Sequence, residues 1–390
     1  MKFEAILQIF SGGFTGKTPS WEAVERKLRS VLPLMPVRAV IIGWSAEREL
    51  YEKTASFLAG RGVSFFLWFP VFSETGQLAD LGPLVDIDGG RQAGAEGREG
   101  GEDFSFCCAG NPENTEKILE IFESRFASIP FDGVFLDKIR YPSFANGAYP
   151  PGSVGRHFCF CPECLKAYER ENLDIEKLKK ALARQYDTPF GIREYLGAGK
   201  YVFEDETIAG FFEIKGKIIT RSLEKICGHL REKNYGIGLD VFAPFLTPFV
   251  GQDLAALCGL CDFIKPMMYR VTGAPAGLPF ETEALLKGTG CLGEAHRERF
   301  GRILGLDMGK NPFDLEFAAR ELSGFRTPVY AGLEINRKKN IADVYPDYIE
   351  ETIGAYARAG MSGFALSWDL LDAPDENIER AAAVMEKLRK

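Results

Sequence analysis

The sequence predicts an α/β protein, a (β/α)8 TIM barrel with three long insertions on its C-terminal face. Three observations predict it. Eight apolar strand-like runs alternate with helical patterns along 390 residues, which is the repeat a barrel is built from. Several runs (VRAVIIGW, VSFFLWF, VYAGL) are almost continuously apolar, as parallel strands covered on both faces are. No Gly-rich dinucleotide turn is present, which weighs against the alternative, a doubly wound open sheet.

Strands are expected at 3–10, 37–44, 63–69, 133–137, 235–242, 262–269, 329–334 and 363–368. Helical patterns occupy 21–34, 47–59, 115–127, 208–233, 253–260, 348–359 and 377–388. The first opens on Pro19-Ser20; Gly60 and Gly62 close the second, Pro130 follows the third, and Gly360 closes the sixth, the usual punctuation of helix ends.

Three connections are too long to be simple loops. They run from about 76 to 113, 145 to 205 and 271 to 328. The first is rich in Gly and charge (GGRQAGAEGREGGED), the second holds a helical pattern at 173–185, and the third holds two, at 280–287 and 314–323. Each follows a strand, so in a barrel all three lie on the face where sites are built. Without them roughly 230 residues remain, close to the ~250 of a plain barrel. The chain is therefore expected to be one TIM-barrel domain over residues 1–390.

Composition narrows the function. Lys and Arg number 47 against 55 Asp and Glu, a net charge of −8, and an acidic balance disfavours nucleic acid as a partner. No apolar run approaches the ~20 residues that span a bilayer, so no membrane partner is expected. The start, MKFEAILQIFSGG, reads as a first strand rather than a signal peptide. Nine cysteines without a secretion signal point to reduced thiols and a cytoplasmic location.

In a barrel the strand ends aim their side chains at one shared mouth, and a charge there is a functional candidate because the core below is apolar. Reading the ends gives Gln8, Trp44, Trp68, Asp137, Asp240, Lys265, Tyr269, Glu334 and Asp369. FDGVFLDKIRYPSF places Asp137, Lys138, Arg140 and Tyr141 together past the fourth strand. GLDVFAPFLTPFVGQDL and DFIKPMMYR place Asp240, Asp253, Lys265, Met267 and Tyr269 past the fifth and sixth.

The segments FDGVFLDKIRYPS (131–143), LDVFAP with VGQDL (239–254), DFIKPMMY (262–269) and VYAGLEIN (329–336) resemble bacterial glycosyl hydrolases of the TIM-barrel glycoside hydrolase superfamily. With the strand order, the resemblance covers essentially the whole chain, and it specifies a superfamily better than a substrate. One departure concerns the sixth strand: related sequences often carry Tyr-Pro after this motif, where this chain has Tyr269-Arg270. The resemblance implies an enzyme that cleaves or transfers a glycosidic bond in an oligosaccharide or glycoconjugate. A non-catalytic carbohydrate-binding barrel is the alternative.

Glycoside hydrolysis needs two carboxyl groups flanking the bond, one a protonated acid and one ionised. Desolvation in an apolar setting raises the acid's pKa, while nearby cations keep its partner ionised. Asp137, with Lys138 and Arg140 beside it, is the expected ionised group. Glu334, at the end of the apolar run VYAGL, is the expected acid, and Asp240 is the runner-up. The resemblance supports fourth and seventh strand ends as the pair. Trp44, Trp68, Tyr269 and Trp368 are candidate platforms for sugar faces, with Lys138, Arg140, Tyr141, Lys265 and Asp369 as candidate polar contacts. No cofactor is expected for catalysis.

Two other motifs are set aside. SGGFTGKT at 11–18 sits between a strand and a helix, as a P-loop does, but Ser11 stands where the first Gly is required. A metal-dependent amidohydrolase would need a His-x-His pair after the first strand, and the three histidines, His157, His229 and His296, lie away from strand ends.

The cysteines carry more. Cys159, Cys161 and Cys164 lie in the second insertion, and Cys161-Pro-Glu-Cys164 has the spacing of a zinc knuckle. Cys107 and Cys108 lie in the first insertion, where adjacent loops could bring one of them close. Four thiolates would then staple two insertions that have little core of their own. Buried free thiols are the other reading. Cys227, Cys258, Cys261 and Cys291 read as scattered packing residues.

Overall fold

The computed structural model describes residues 3–10, 18–43, 47–73, 81–91, 106–145, 157–308 and 312–389. Its strands are β1 (Glu4–Phe10), β2 (Val37–Gly43), β3 (Ser64–Pro70), β4 (Gly133–Asp137), β5 (Ile192–Gly197), β6 (Lys200–Phe203), β7 (Gly236–Phe242), β8 (Phe263–Met267), β9 (Tyr330–Glu334) and β10 (Gly363–Ser367). Eight of them form one parallel sheet in the order β8-β7-β4-β3-β2-β1-β10-β9. A parallel bridge between Ile264 and Val329, with the Ile264 amide donating to the Pro328 carbonyl at 3.0 Å, brings the two ends of the sheet together into a TIM-like barrel. The eight expected strands are these eight, with ends that differ by at most two residues.

Helices pack around the sheet: α1 (Trp21–Val31), α2 (Arg48–Leu58), α3 (Pro112–Arg125), α4 (Pro162–Arg170), α5 (Ile175–Ala183), α6 (Glu206–Glu232), α7 (Leu254–Leu257), α8 (Leu278–Gly288), α9 (Glu294–Leu304), α10 (Leu315–Glu321), α11 (Pro346–Arg358) and α12 (Asp375–Arg389). Their ends follow local chemistry. The Ser20 hydroxyl accepts from the Ala23 amide to start α1, and the Asp205 carboxylate accepts from Thr207 to start α6. In α1 the buried face is Val24, Leu28 and Val31, the helical spacing that turns one stripe to the sheet. None of the helices among the described residues is long and apolar enough to cross a membrane.

The sheet divides the apolar core. Ile6, Ala39, Ile41, Phe66, Trp68, Phe135, Phe263, Tyr330 and Ala365 form a cluster of their own, apart from the larger one under the helices. They come from alternate positions on seven strands, so they fill the barrel. Phe135 and Phe263 stack at 6.0 Å, and Phe66 meets Phe263 edge-on at 5.5 Å. Gly238 makes room for them: a Cβ there would lie 2.3 Å from the Phe263 ring and 2.8 Å from Phe135.

The β5–β6 hairpin was not expected from the sequence. It joins through Ala198 and Gly199, both at positive φ, the pattern of a tight two-residue hairpin turn.

Candidate functional site

Two positions beyond Ile6, Phe135, Gly238, Phe263 and Ala365, the same inward face carries Gln8, Asp137, Asp240, Lys265 and Ser367. The barrel therefore changes from apolar to polar within one side-chain layer, at the strand ends. Register brings the charges together. Leu136 pairs with Leu239, so Asp137 and Asp240 sit side by side on β4 and β7, and Asp240 pairs directly with Lys265 on β8.

Lys265 organises this layer. Its Nζ donates to Asp240 Oδ2 at 2.8 Å and to Gln8 Oε1 at 3.1 Å. Ser367 Oγ also donates to Gln8 Oε1, at 3.4 Å. The Lys265 ammonium lies 5.7 Å from the centre of the Phe135 ring and 5.5 Å from that of Tyr269. Burial pushes Asp240 up to about 7, and the charge on Asp137 adds to the rise while Lys265 opposes it. For Lys265 burial acts downward, but Asp240 and Tyr269 outweigh it and hold the ammonium protonated. Asp240 Oδ1 is buried and has no hydrogen-bond partner among the described residues.

Asp137 is half-buried. Its Oδ2 accepts from the Trp68 indole at 2.9 Å, and its Oδ1 accepts from the Lys138 amide. Lys138 is held at φ 51°, with its ammonium 5.9 Å from the Trp68 ring.

Glu334 is also buried, and burial raises its pKa. Both of its oxygens are occupied, however. Oε1 accepts from the Val271 amide at 2.9 Å and from Thr272 Oγ1 at 3.0 Å, and Oε2 accepts from the Tyr348 hydroxyl of α11. It ties the loop after β8 to α11, so the carboxyl with an unpaired oxygen at the mouth is Asp240 rather than Glu334.

The other expected contacts divide. Tyr269 is buried, with its ring edge-on to Trp368 at 6.4 Å. Trp368 and Asp369 are latched by a residue the sequence did not single out: Asn336 Oδ1 accepts both of their amides, at 2.7 and 3.0 Å. Asp369 also accepts from the Leu371 amide and so shapes its own turn. Arg140 is sandwiched between Phe106 and Phe242, with its guanidinium 4.9 and 4.6 Å from the ring centres. Tyr141 is fully buried, with its hydroxyl 4.0 Å from Cys164 Sγ. Both are buried, and the Arg140 charge is felt at Asp240, whose pKa it acts to lower. Trp44 and residues 11–17 of the P-loop-like motif lie outside the described residues.

The cysteines separate as alternation dictates. Cys108, Cys159, Cys161 and Cys164 place their sulfurs within 4.8 Å of one another. Cys107 was named with them, and the structure corrects this. Its neighbour faces the cluster, while Cys107 continues an extended segment bridged to Pro83 and packs as a buried thiol pushed up to about 12 by desolvation. The histidines are dispersed. His157 is a core ring against Phe190 and Phe211, held down at about 3 by burial, and His229 pairs with Glu123 at 2.7 Å.

No protein-family sequence model matches the chain, and no curated protein matches it. Its fold does match solved structures. The glycoside hydrolase domain of PgaB (BpsB) from Bordetella bronchiseptica superposes with a TM-score of 0.55 at 12% identity, over 98% of this chain and 99% of that one. The catalytic domain of beta-amylase from Paenibacillus polymyxa gives 0.53 at 11%, over 99% of each. Alpha-L-fucosidase isoenzyme 2 from Paenibacillus thiaminolyticus gives 0.51 at 12%, over 100% of this chain and 49% of that one. The chain shares its fold with glycoside hydrolases. Fold alone does not carry chemistry across such distances, so the mouth residues must supply the functional argument.

Proposed function

We propose that the protein is a glycosidase, cleaving or transferring a glycosidic bond in an oligosaccharide or glycoconjugate with Asp137 and Asp240. The observation that carries this reading is the juxtaposition of the two carboxyls. They lie on neighbouring strands, which in a sheet are ~4.8 Å apart, well within the ~10 Å that a two-carboxylate mechanism allows. Their environments differ in the required sense. Asp240 is buried with its pKa lifted to about 7, so near neutrality it holds a proton it can give to a leaving oxygen. Asp137 is more open and is oriented by the Trp68 indole, as a nucleophile or water-activating base must be. Lys265 tempers the rise at Asp240, so the proton is transferable. Trp68, Tyr269 and Trp368 supply apolar faces around the pair, and Glu334 acts as a positioning residue through Thr272 and Tyr348.

The test is turnover of a panel of aryl glycosides and natural oligosaccharides by the whole chain. Asp137→Asn should abolish turnover and Asp240→Asn should lower it by about 10²–10⁴-fold, with the circular dichroism spectrum retained in both. Full activity in Asp137→Asn would overturn the assignment. Sugar binding with no turnover of any panel member would favour the carbohydrate-binding alternative.

A further inference from the structure

Outside the mouth, the most concentrated chemistry in the molecule is the four-cysteine cluster. Two separate segments supply its ligands. Cys108 precedes α3, Cys159 lies in an extended run, and Cys161 and Cys164 open α4. The segment around residues 83–86 is clamped between the other two: Pro83 bridges Cys107, Asp86 bridges Phe158, and the Phe160 amide donates to the Val85 carbonyl at 2.8 Å. Cys108 Sγ lies 3.4 Å from the sulfurs of both Cys161 and Cys164.

We propose that Cys108, Cys159, Cys161 and Cys164 hold a single structural zinc ion, with Lys215 as its buried counter-charge. Size argues for one ion. Zinc–thiolate bonds of ~2.3 Å set the edges of a tetrahedron at ~3.8 Å, and all four sulfurs here lie within 4.8 Å of one another. A cluster of several irons and sulfides would hold them farther apart. Four thiolates from the protein also close the coordination sphere, which is the mark of a structural site rather than a catalytic one. Among divalent ions that take such a donor set, zinc binds more tightly than ferrous iron.

The surroundings are built to stabilise negative charge. The Val85 amide donates to Cys159 Sγ at 3.4 Å. Cys161 is the N-cap of α4 and Cys164 sits in its first turn, where the helix dipole favours a thiolate. Gly110 permits the approach: a Cβ there would lie 2.9 Å from Cys164 Sγ.

Lys215 is an independent observation. It is buried in the middle of α6, with its ammonium 4.8 Å from the Tyr141 ring and 5.2 Å from Phe211. Among the described residues its one hydrogen bond is to the Phe249 carbonyl, at 3.3 Å, and no carboxylate forms an ion pair with it. A buried ammonium needs a compensating anion. Burial lowers the Lys215 pKa to about 7, and Cys159 and Cys164 oppose that fall. Tyr141 joins the two sites in space, its ring under the ammonium and its hydroxyl 4.0 Å from Cys164 Sγ. A zinc ion with four thiolates would carry a net charge of −2. The metal would thus join the first two insertions to α6, and through Tyr141 it would brace the segment that follows Asp137.

The full chain, purified without a metal-affinity step and under reducing conditions, should contain one zinc per chain by mass spectrometry. Cys107→Ser should keep that zinc and Cys108→Ser should lose it. In case Cys108→Ser does not fold, wild-type protein grown with cobalt provides a second measurement. It should show the visible bands and the sulfur-to-cobalt charge transfer of a tetrahedral thiolate site. Lys215→Met should weaken zinc retention against a chelator by ~10-fold or more. Metal-free protein with no cobalt signature, iron in place of zinc, or equal zinc loss in Cys107→Ser and Cys108→Ser would overturn the site. Unchanged retention in Lys215→Met would overturn the role of the lysine.

Discussion

Asp240 and Lys265 face each other across β7 and β8, Oδ2 to Nζ at 2.8 Å, and neither is more than 2% exposed. An ion pair this deep depends on both members, because removing one leaves an uncompensated charge in the barrel, at a cost of ~3–5 kcal/mol. Lys265→Met should therefore lose about 3 kcal/mol of stability at pH 8. The loss should shrink at pH 5. Asp240 has a folded pKa of about 7, above its ordinary 3.8, so the stability tied to its proton is present below ~3.8 and is lost as pH rises through 7. Without the lysine that folded pKa climbs further, and at pH 5 the carboxyl is neutral. Urea denaturation of both proteins at the two pH values measures this, and an equal loss at both would contradict the pairing.

The same elevated carboxyl sets the expected pH dependence of turnover. If Asp240 donates the proton, kcat/KM falls as pH rises through about 7, because the acid is then spent. Asp240→Asn should lower turnover by about 10²–10⁴-fold, the usual contribution of general acid catalysis, and the alkaline limb should disappear with it. A wild-type profile that is flat between pH 6 and 9 would exclude Asp240 as the donor.

Glu334 and Tyr348 invite a contrasting prediction. As a positioning group, Glu334 holds Val271 and Thr272 in place, so Glu334→Gln should destabilise the fold by ~1–3 kcal/mol, as unsatisfied buried groups do. Turnover should decline without vanishing. Tyr348→Phe removes one of its donors and should reproduce part of both effects. Loss of all turnover in Glu334→Gln with an unchanged Tm would instead make Glu334 the acid.

These residues also show where the sequence was legible. The barrel strands could be read because VRAVIIGW and VSFFLWF are apolar apart from Arg38 and Ser64, each the second residue of its run, and burial on both faces demands that composition. Asp137, Asp240 and Lys265 could be read because each is a charge at or near the end of an apolar strand, where a barrel has its mouth. The partners of Glu334 could not. Val271, Thr272 and Tyr348 reach it from a loop and a helix that no periodicity links to β9. The β5–β6 hairpin was hidden for a similar reason: REYLGAGKYV carries its turn signal in Gly197-Ala198-Gly199, inside an insertion read for helices. In α9, EAHRERFGRIL, charge outweighs the three buried positions that anchor it, so its pattern is faint. Cys108 was distinguishable from Cys107 only once the direction of its strand-like segment was fixed.

The packing beneath the site yields the last prediction. Gly238 faces the barrel interior between Phe135 and Phe263, and a methyl group there would sit 2.3 Å from one ring and 2.8 Å from the other. Those rings are stacked at 6.0 Å and hemmed in by Phe66 and Tyr330, so neither can swing aside without moving a third. Overpacking of this kind costs ~1–3 kcal/mol. Gly238→Ala should therefore lower the urea midpoint of unfolding, with the slope of the transition unchanged. The displacement should also be felt one layer up, because Phe135 lies directly under the Lys265 ammonium. A shifted ring would loosen the Lys265–Asp240 contact, and the alkaline limb of the activity profile should move away from 7. A Gly238→Ala protein with wild-type stability would mean that the barrel interior is less tightly filled than these distances state.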